Sequence, residues 1–578
     1  MLNFYRIACA VPECRTADVE YNTGEILKLY RQAAENQASA VIFPAEALSG
    51  FGGGDLTHFP IFEKQTVRAM HELAAETEKY SAVMVFADSG KKAAVLSQGK
   101  THYTAGTSDV FTNGEFSFAV HPGRNDYACT ANPGKAQLLI FPYAGFDTCQ
   151  SVADRRKDYS ALSRMLNCCC AASGAGPSNT TSSGVCTGQA LVTLDGKVIA
   201  QKHPLDTASQ IIYSDVDPEM LLYLSRQHNT SSAEEFNSIE ISIPAVHELK
   251  YCEISNAPFI PEEDAGEYYR NIIDFSASAL ASRMKSCGIK TMVLGVSGGL
   301  DSTMALIICH ECCKKLNIPA DSIIAVSMPG FGTGDRTRDN SVALAKEFQT
   351  NLRMIPIKDA VLQHFKDIGH DPELLDVVYE NSQARERTQI LMDIANQSSG
   401  FVVGTGDLSE IALGWCTYNG DQMSMYAVNA SIPKTLMREV IRSYAAQAPA
   451  ALAEILCDVC DTPVSPELIP GKQNTEDIIG QYDLHDFFIY NFIKYGASPA
   501  KLFVMAVKAF KDEYTAGYIF QVLEVFFKRF FTSQFKRAAM PDSPDVTGLG
   551  LASFKMPSDA CANIWFKELE DLKKSDIF

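Results

Sequence analysis

The segment Gly295-Val296-Ser297-Gly298-Gly299-Leu300-Asp301-Ser302 constrains the fold of this chain more than any other. It follows an apolar stretch at 291–296 that reads as a strand, and it runs into 302–316, which reads as a helix. A strand, a glycine-rich loop and a helix in that order call for a layered α/β unit. They also set successive backbone N–H groups and a helix N-terminus around one point, where a phosphate group fits. Gly298 and Gly299 allow a close approach that a Cβ would block. Ser297 and Ser302 can donate hydroxyls, and Asp301 can reach the Mg2+ that accompanies a nucleotide. Two glycines alone would mean only a turn; the full string in its strand–loop–helix setting carries the reading. It is not the Gly-x4-Gly-Lys-Ser/Thr loop of common kinases and GTPases.

A chain of 578 residues asks for more than one domain. Residues 1–245 alternate short apolar runs, at 38–44, 80–86 and 137–141, with helical stretches such as 63–78. Residues 246–264 carry Pro258 and Pro261 and read as a linker. A second α/β domain spans 265–578, and from Leu484 onward it is helix-rich and aromatic. No apolar run approaches the roughly 20 residues of a membrane-spanning helix. The first ten residues read as a strand rather than a signal peptide. With 17 cysteines and no export signal, reduced thiols and a cytoplasmic location are expected. A net charge of −19 argues against a broad nucleic-acid or anionic-membrane surface, though not against phosphorylated small molecules.

The loop resembles the pyrophosphate loop of N-type ATP pyrophosphatases, which implies ATP cleavage between the α and β phosphates and adenylylation of a substrate. The substrate is indicated further on. The run from Gly404-Thr405-Gly406-Asp407-Leu408-Ser409-Glu410 through Trp415 to Ile432-Pro433-Lys434 resembles the NAD synthetase signature, and similar segments in the same order extend the resemblance over about 265–560. It implies a Rossmann-like domain with a parallel sheet, a helix-rich C-terminal extension, and carbon–nitrogen ligase activity on deamido-NAD (nicotinic acid adenine dinucleotide) with ATP and Mg2+. By the same resemblance the loop residues Gly295 to Ser302 and Thr405 bind ATP, while Asp301 and Glu410 hold Mg2+. Asp301 and Lys434 serve catalysis, and Asn381, Glu410, Trp415 and Lys536 contact deamido-NAD. Two polyanions must meet, so cations are needed to offset their repulsion. The loop at 331–340, with Asp335, Arg336, Arg338 and Asp339 beside two glycines, suits either a lid over ATP or a static surface loop. A GMP-synthetase-type ligase would keep the phosphate loop but lack the Trp415–Lys434 signature. A non-catalytic scaffold binding NAD precursors is the remaining alternative, and the intact loop with Glu410 and Lys434 opposes it.

Residues 1–245 resemble the nitrilase-like glutaminase domain of glutamine-dependent NAD synthetases, on Phe43-Pro44-Ala45-Glu46 through Leu56 and on 173–196. An α-β-β-α sandwich is implied. That family uses a Cys nucleophile, a Glu base and a Lys that supports the oxyanion. Here Ala45 stands in the Glu position with Glu46 one residue later, the Lys-bearing segment is missing after Gly99, and His121 stands where the Cys is due. The expectation is a degenerate glutaminase with ammonia as the nitrogen source, which leaves the domain a structural or oligomerisation role. The alternative keeps glutamine through a shifted nucleophile such as Cys129, with Glu46 as base. The resemblance implies a homo-oligomer. The cysteines at 168–170, at 309, 312 and 313, and at 457 and 460 suit packing better than zinc, which needs about four convergent ligands.

Overall fold

A computed structural model describes residues 5–87, 92–104, 109–113, 116–121, 136–218, 221, 254–261, 265–462, 468–469 and 474–574. Cys129, Pro122, Gly123 and most of the linker at 246–264 lie outside the described residues. The chain forms two compact units, 1–241 and 242–578.

Among its described residues the first unit holds two six-stranded sheets. One is built from β1 (Tyr5–Val11), β2 (Ala40–Ala45), β3 (Val83–Ala87), β4 (Ala93–Ser97), β5 (Lys100–Tyr103) and β12 (Gln210–Val216), in the order β12-β1-β2-β3-β4-β5. The other comprises β6 (Val110–Asn113), β7 (Phe116–Val120), β8 (Leu138–Tyr143), β9 (Cys169–Gly174), β10 (Ala190–Leu194) and β11 (Lys197–Gln201), in the order β11-β10-β9-β8-β7-β6. The period of two in β1 shows how the layers form. Ile7, Cys9 and Val11 face a core shared with Phe118, Ile140 and Val192 of the other sheet, while Ala8 and Ala10 face α1 (Val19–Glu35) and α2 (Pro60–Glu76). On the far side α3 (Ser151–Met165) covers the second sheet through Tyr159. The result is the expected α-β-β-α sandwich. Cys168, Cys169 and Cys170 are buried packing residues in it.

The second unit opens with α4 (Ala265–Cys287) and then alternates β13 (Met292–Gly295), α5 (Leu300–Leu316), β14 (Ile323–Ser327), α6 (Asp335–Glu347), β15 (Asn351–Met354), α7 (Lys358–Ile368), α8 (Val377–Gln397), β16 (Phe401–Gly404), α9 (Leu408–Leu413) and β17 (Tyr426–Ala427). All five strands are parallel, in the order β15-β14-β13-β16-β17. The chain thus winds outward from β13 to one edge and then returns to β16 on its other side. That reversal leaves a crevice at the carboxyl ends of β13 and β16, where open α/β sheets bind ligands. Among the described residues eight helices follow: α10 (Lys434–Ala445), α11 (Ala450–Cys460), α12 (Thr475–Ile479), α13 (Tyr482–Tyr495), α14 (Pro499–Ala509), α15 (Ala516–Thr532), α16 (Gln534–Arg537) and α17 (Asn563–Leu572). Phe487, Phe488, Phe526, Phe527 and Phe530 form much of their core. Among the described residues no helix is long and apolar enough to cross a membrane.

The structure differs from the expected loop at 331–340. Residues 335–340 are already helical, starting after Gly334 with Asp335 in the first turn, where the helix dipole favours an acid. Arg336 pairs with Asp458 of α11, and Arg338 pairs with Asp335 and Asp339.

Candidate active site

The phosphate loop owes its shape to two serines and a left-handed glycine. Gly298 has φ +87°, and a Cβ there would stand 2.1 Å from the Thr337 carbonyl oxygen. The Gly299 N–H donates to Ser297 Oγ at 3.2 Å, and Ser302 Oγ lies 3.1 Å from Ser297 Oγ. Ser302 Oγ donates to the Gly299 carbonyl at 3.1 Å, so the hydroxyls brace the turn. Leu300 and Asp301 begin α5, whose first N–H groups have no partner within the helix. Gly295 ends β13 and Val296 continues its pairing through a hydrogen bond to the Val326 carbonyl.

The other wall comes from beyond β16. Thr405 follows its last residue, and the buried Asp407 caps α9 by accepting the Glu410 N–H at 2.9 Å. Asn429 joins the two walls, donating to the carbonyls of Asp301 at 2.9 Å and Thr405 at 3.0 Å. Lys434, the first residue of α10, is 2% exposed and extends its ammonium into the space between. Nζ lies 2.8 Å from both Asp301 oxygens, 2.6 Å from Asp407 and 3.0 Å from Glu410. Burial opposes the charge of Lys434, but Asp301, Asp407 and Glu410 outweigh it and hold the ammonium well above its ordinary range. Burial raises the carboxyls of Asp301 and Glu410, with Lys434 opposing the rise.

Asp301, Asp407 and Glu410 offer ligand oxygens within 4.8 Å of one another. Three carboxylates against a single ammonium leave the cage short of positive charge, and an all-oxygen set of this kind suits Mg2+. Sequence reasoning named Asp301, Glu410 and Lys434 but missed Asp407 and Asn429. Asp407 was detectable as an acidic residue three before Glu410 at the start of a helix. Asn429 carries no local signal.

Asn381, Trp415 and Lys536 gather around the loop that follows α9. Asn381 Oδ1 accepts Thr417 Oγ1 at 2.8 Å, and Lys536 Nζ donates to the carbonyls of Gly414 at 2.7 Å and Cys416 at 2.6 Å. The Arg529 guanidinium lies over the Trp415 indole at 4.8 Å. The backbone of Trp415 is hydrogen-bonded to the Glu410 carbonyl, which ties this loop to the cage. Cys309, Cys312 and Cys313 are buried along α5.

In the first unit, Ala45 lies in an apolar cluster with Phe51, Ala87, Ala144, Ala175, Cys186 and the ring of Phe146. His121 follows the last residue of β7, is 9% exposed and stacks on Phe141 at 5.4 Å; burial lowers its pKa. Glu46 takes a left-handed conformation, φ 56°. Burial, then Asp147 and, more weakly, Glu46, drive the Cys186 thiol far above its ordinary range.

A family model described as NAD synthase matches residues 272–525. The chain is 34% identical over 469 residues to the glutamine-dependent NAD(+) synthetase of Mycobacterium bovis, covering 72% of this chain and 68% of that one. A structure of a glutamine-dependent NAD(+) synthetase from Cytophaga hutchinsonii superposes with a TM-score of 0.75 at 16% identity, covering 99% of this chain and 100% of that one. The glutamine-dependent NAD+ synthetase of Acinetobacter baumannii, solved with adenosine diphosphate, gives 0.64 at 18% identity, covering 96% and 97%. At such identities these two structures bear on the fold alone, which is the expected nitrilase-like sandwich plus synthetase. The sequence relatives are named for glutamine, which backs the glutamine-using alternative better than the expected ammonia. The chain is a carbon–nitrogen ligase, and it belongs to the glutamine-dependent NAD(+) synthetase family.

Proposed function

We propose that the chain forms NAD+ by amidating deamido-NAD at the expense of ATP. The observation that carries this is the meeting of the phosphate loop with Asp301, Asp407, Glu410 and Lys434 at the point where strand order reverses. The amides and hydroxyls of Ser297 to Ser302 bind the ATP phosphates. Lys434 offsets their charge as the nicotinate carboxylate attacks the α-phosphorus and the bond to pyrophosphate breaks. Ammonia then adds to the acyl carbon of the mixed anhydride, loses a proton and expels AMP. Asp301, Asp407 and Glu410 are the residues to hold Mg2+, which supplies Lewis-acid neutralisation of the phosphates. Asn381, Trp415 and Lys536 form the deamido-NAD side of the site, with the indole suited to a flat ring.

For the nitrogen donor the reading is glutamine, hydrolysed with a nucleophile outside the expected position; Cys129 is the sequence's own candidate. A second reading, free ammonia, is favoured by the apolar surroundings of Ala45 and the buried ring of His121. NAD+ formation from deamido-NAD and Mg-ATP, with ammonium and glutamine in parallel, tests both. Product from glutamine supports the first and product from ammonium alone the second. Product from neither overturns the synthetase reading.

A further inference from the structure

One buried carboxylate has no part in that chemistry. Asp486, in α13, is 1% exposed, and each of its three hydrogen bonds comes from an element that carries the cage. Oδ1 accepts Ser409 Oγ of α9 at 2.5 Å. Oδ2 accepts the Thr435 N–H at 3.0 Å and Thr435 Oγ1 at 2.6 Å, both from the first turn of α10. Ser409 Oγ also accepts the Lys434 N–H at 2.9 Å. Ser409 precedes Glu410 and Thr435 follows Lys434, so one side chain grips the neighbours of two site residues. Along the chain those two helices are separated by residues 414–433, a stretch whose only strand is the two-residue β17. The route through Asp486 is short and rigid by comparison. Burying a carboxylate is costly where apolar packing would not be, so its presence needs a reason beyond filling space. Burial pushes the Asp486 carboxyl up to about 7, and the bonds from Ser409 and Thr435 oppose that rise without cancelling it.

We propose that Asp486 is a positioning residue for the amide-forming reaction. Through Ser409 and Thr435 it sets α9 against α10 so that Glu410 and Lys434 meet Asp301 at bonding distance. The proposal rests on the reading of that cage as the metal and phosphate site.

The test uses the full chain with ammonium as donor and compares wild type with Asp486→Asn, Thr435→Val, Thr435→Ser and Asp301→Asn. Asp486→Asn keeps the size of the side chain and part of its bonding. Misplacement of a site by a fraction of a bond length predicts a fall in kcat of roughly 10- to 100-fold, with KM for Mg-ATP moving much less. Mn2+ titration without ATP, followed by electron paramagnetic resonance, should show weaker binding in Asp486→Asn and Thr435→Val. Thr435→Ser, which keeps the hydroxyl, should recover most of the turnover lost in Thr435→Val. Unchanged kcat and Mn2+ affinity in folded Asp486→Asn and Thr435→Val overturn the proposal, as does a loss that only follows the fraction of folded protein. If Asp301→Asn is inactive while the Asp486 and Thr435 variants are intact, the positioning role alone falls. If Asp301→Asn retains turnover, the cage reading falls and takes the positioning role with it.

Discussion

Lys434 sits where a divalent cation would be held, bonded to the three carboxylates that would hold it. An ammonium and a metal ion at contact distance compete, because each neutralises the same oxygens. Replacing Lys434 with Met should therefore tighten Mn2+ binding to the ATP-free chain by roughly tenfold or more, since a competing unit charge is removed. The same variant should lose about 100-fold or more in turnover, as expected when a group that stabilises developing charge is removed. Calorimetric or resonance titration of Mn2+ reads the first effect and steady-state assay the second. Weaker metal binding in Lys434→Met would mean that the lysine and the metal cooperate.

At the scale of elements, the turn from β13 into α5 and the packing of α13 each make a prediction. Ala at position 298 would have to adopt φ near +87° and displace the Thr337 carbonyl of α6. Gly298→Ala should thus cost about 2 kcal/mol or more of stability and raise KM for ATP, measured by denaturant melting and initial rates. In α13, His485 is fully buried, and its Nε2 bonds the Ile479 carbonyl at 2.8 Å. Burial lowers its pKa to about 4 against an ordinary 6.5, so the fold prefers the neutral ring. Its contribution is fully present above pH 6.5, is lost as pH falls from 6.5 to about 4, and is constant below that. The total loss is on the order of 3 kcal/mol. Stability of wild type and His485→Gln should diverge in that window by this amount, since Gln can donate the hydrogen bond but does not titrate. Parallel curves would show that His485 does not carry the effect.

For the whole molecule, the two compact units are expected to fail separately. Arg155 and Asp147 form a pair in the first unit, 2.6 Å apart and 1% and 2% exposed at their side chains. Leaving one charge of such a pair alone costs about 3–5 kcal/mol. Arg155→Met should lower the first thermal transition while ammonium-driven kcat stays at the wild-type value; a matching fall in kcat would show that the units are coupled. The origin of the fold and of the site is divided in a similar way. Periodicity and glycine placement are local, so the strands, the phosphate loop and α5 were legible in residues 291–316, as were Asp301, Glu410 and Lys434 through the resemblance of one continuous segment. The apparent loop at 331–340 was misjudged in part because glycines mark where a helix starts as readily as where one is absent. Asn429 and Asp486 were invisible because their partners lie 24 to 128 residues away in sequence, beyond any local pattern. The sequence by itself determined which segments form strands and helices and which residue types are available for phosphate and metal. Only the tertiary structure decided that Asp301, Asp407, Glu410 and Lys434 share one cage and that Ala45 lies in apolar packing, because those distances depend on sheet order and helix docking rather than on spacing along the chain.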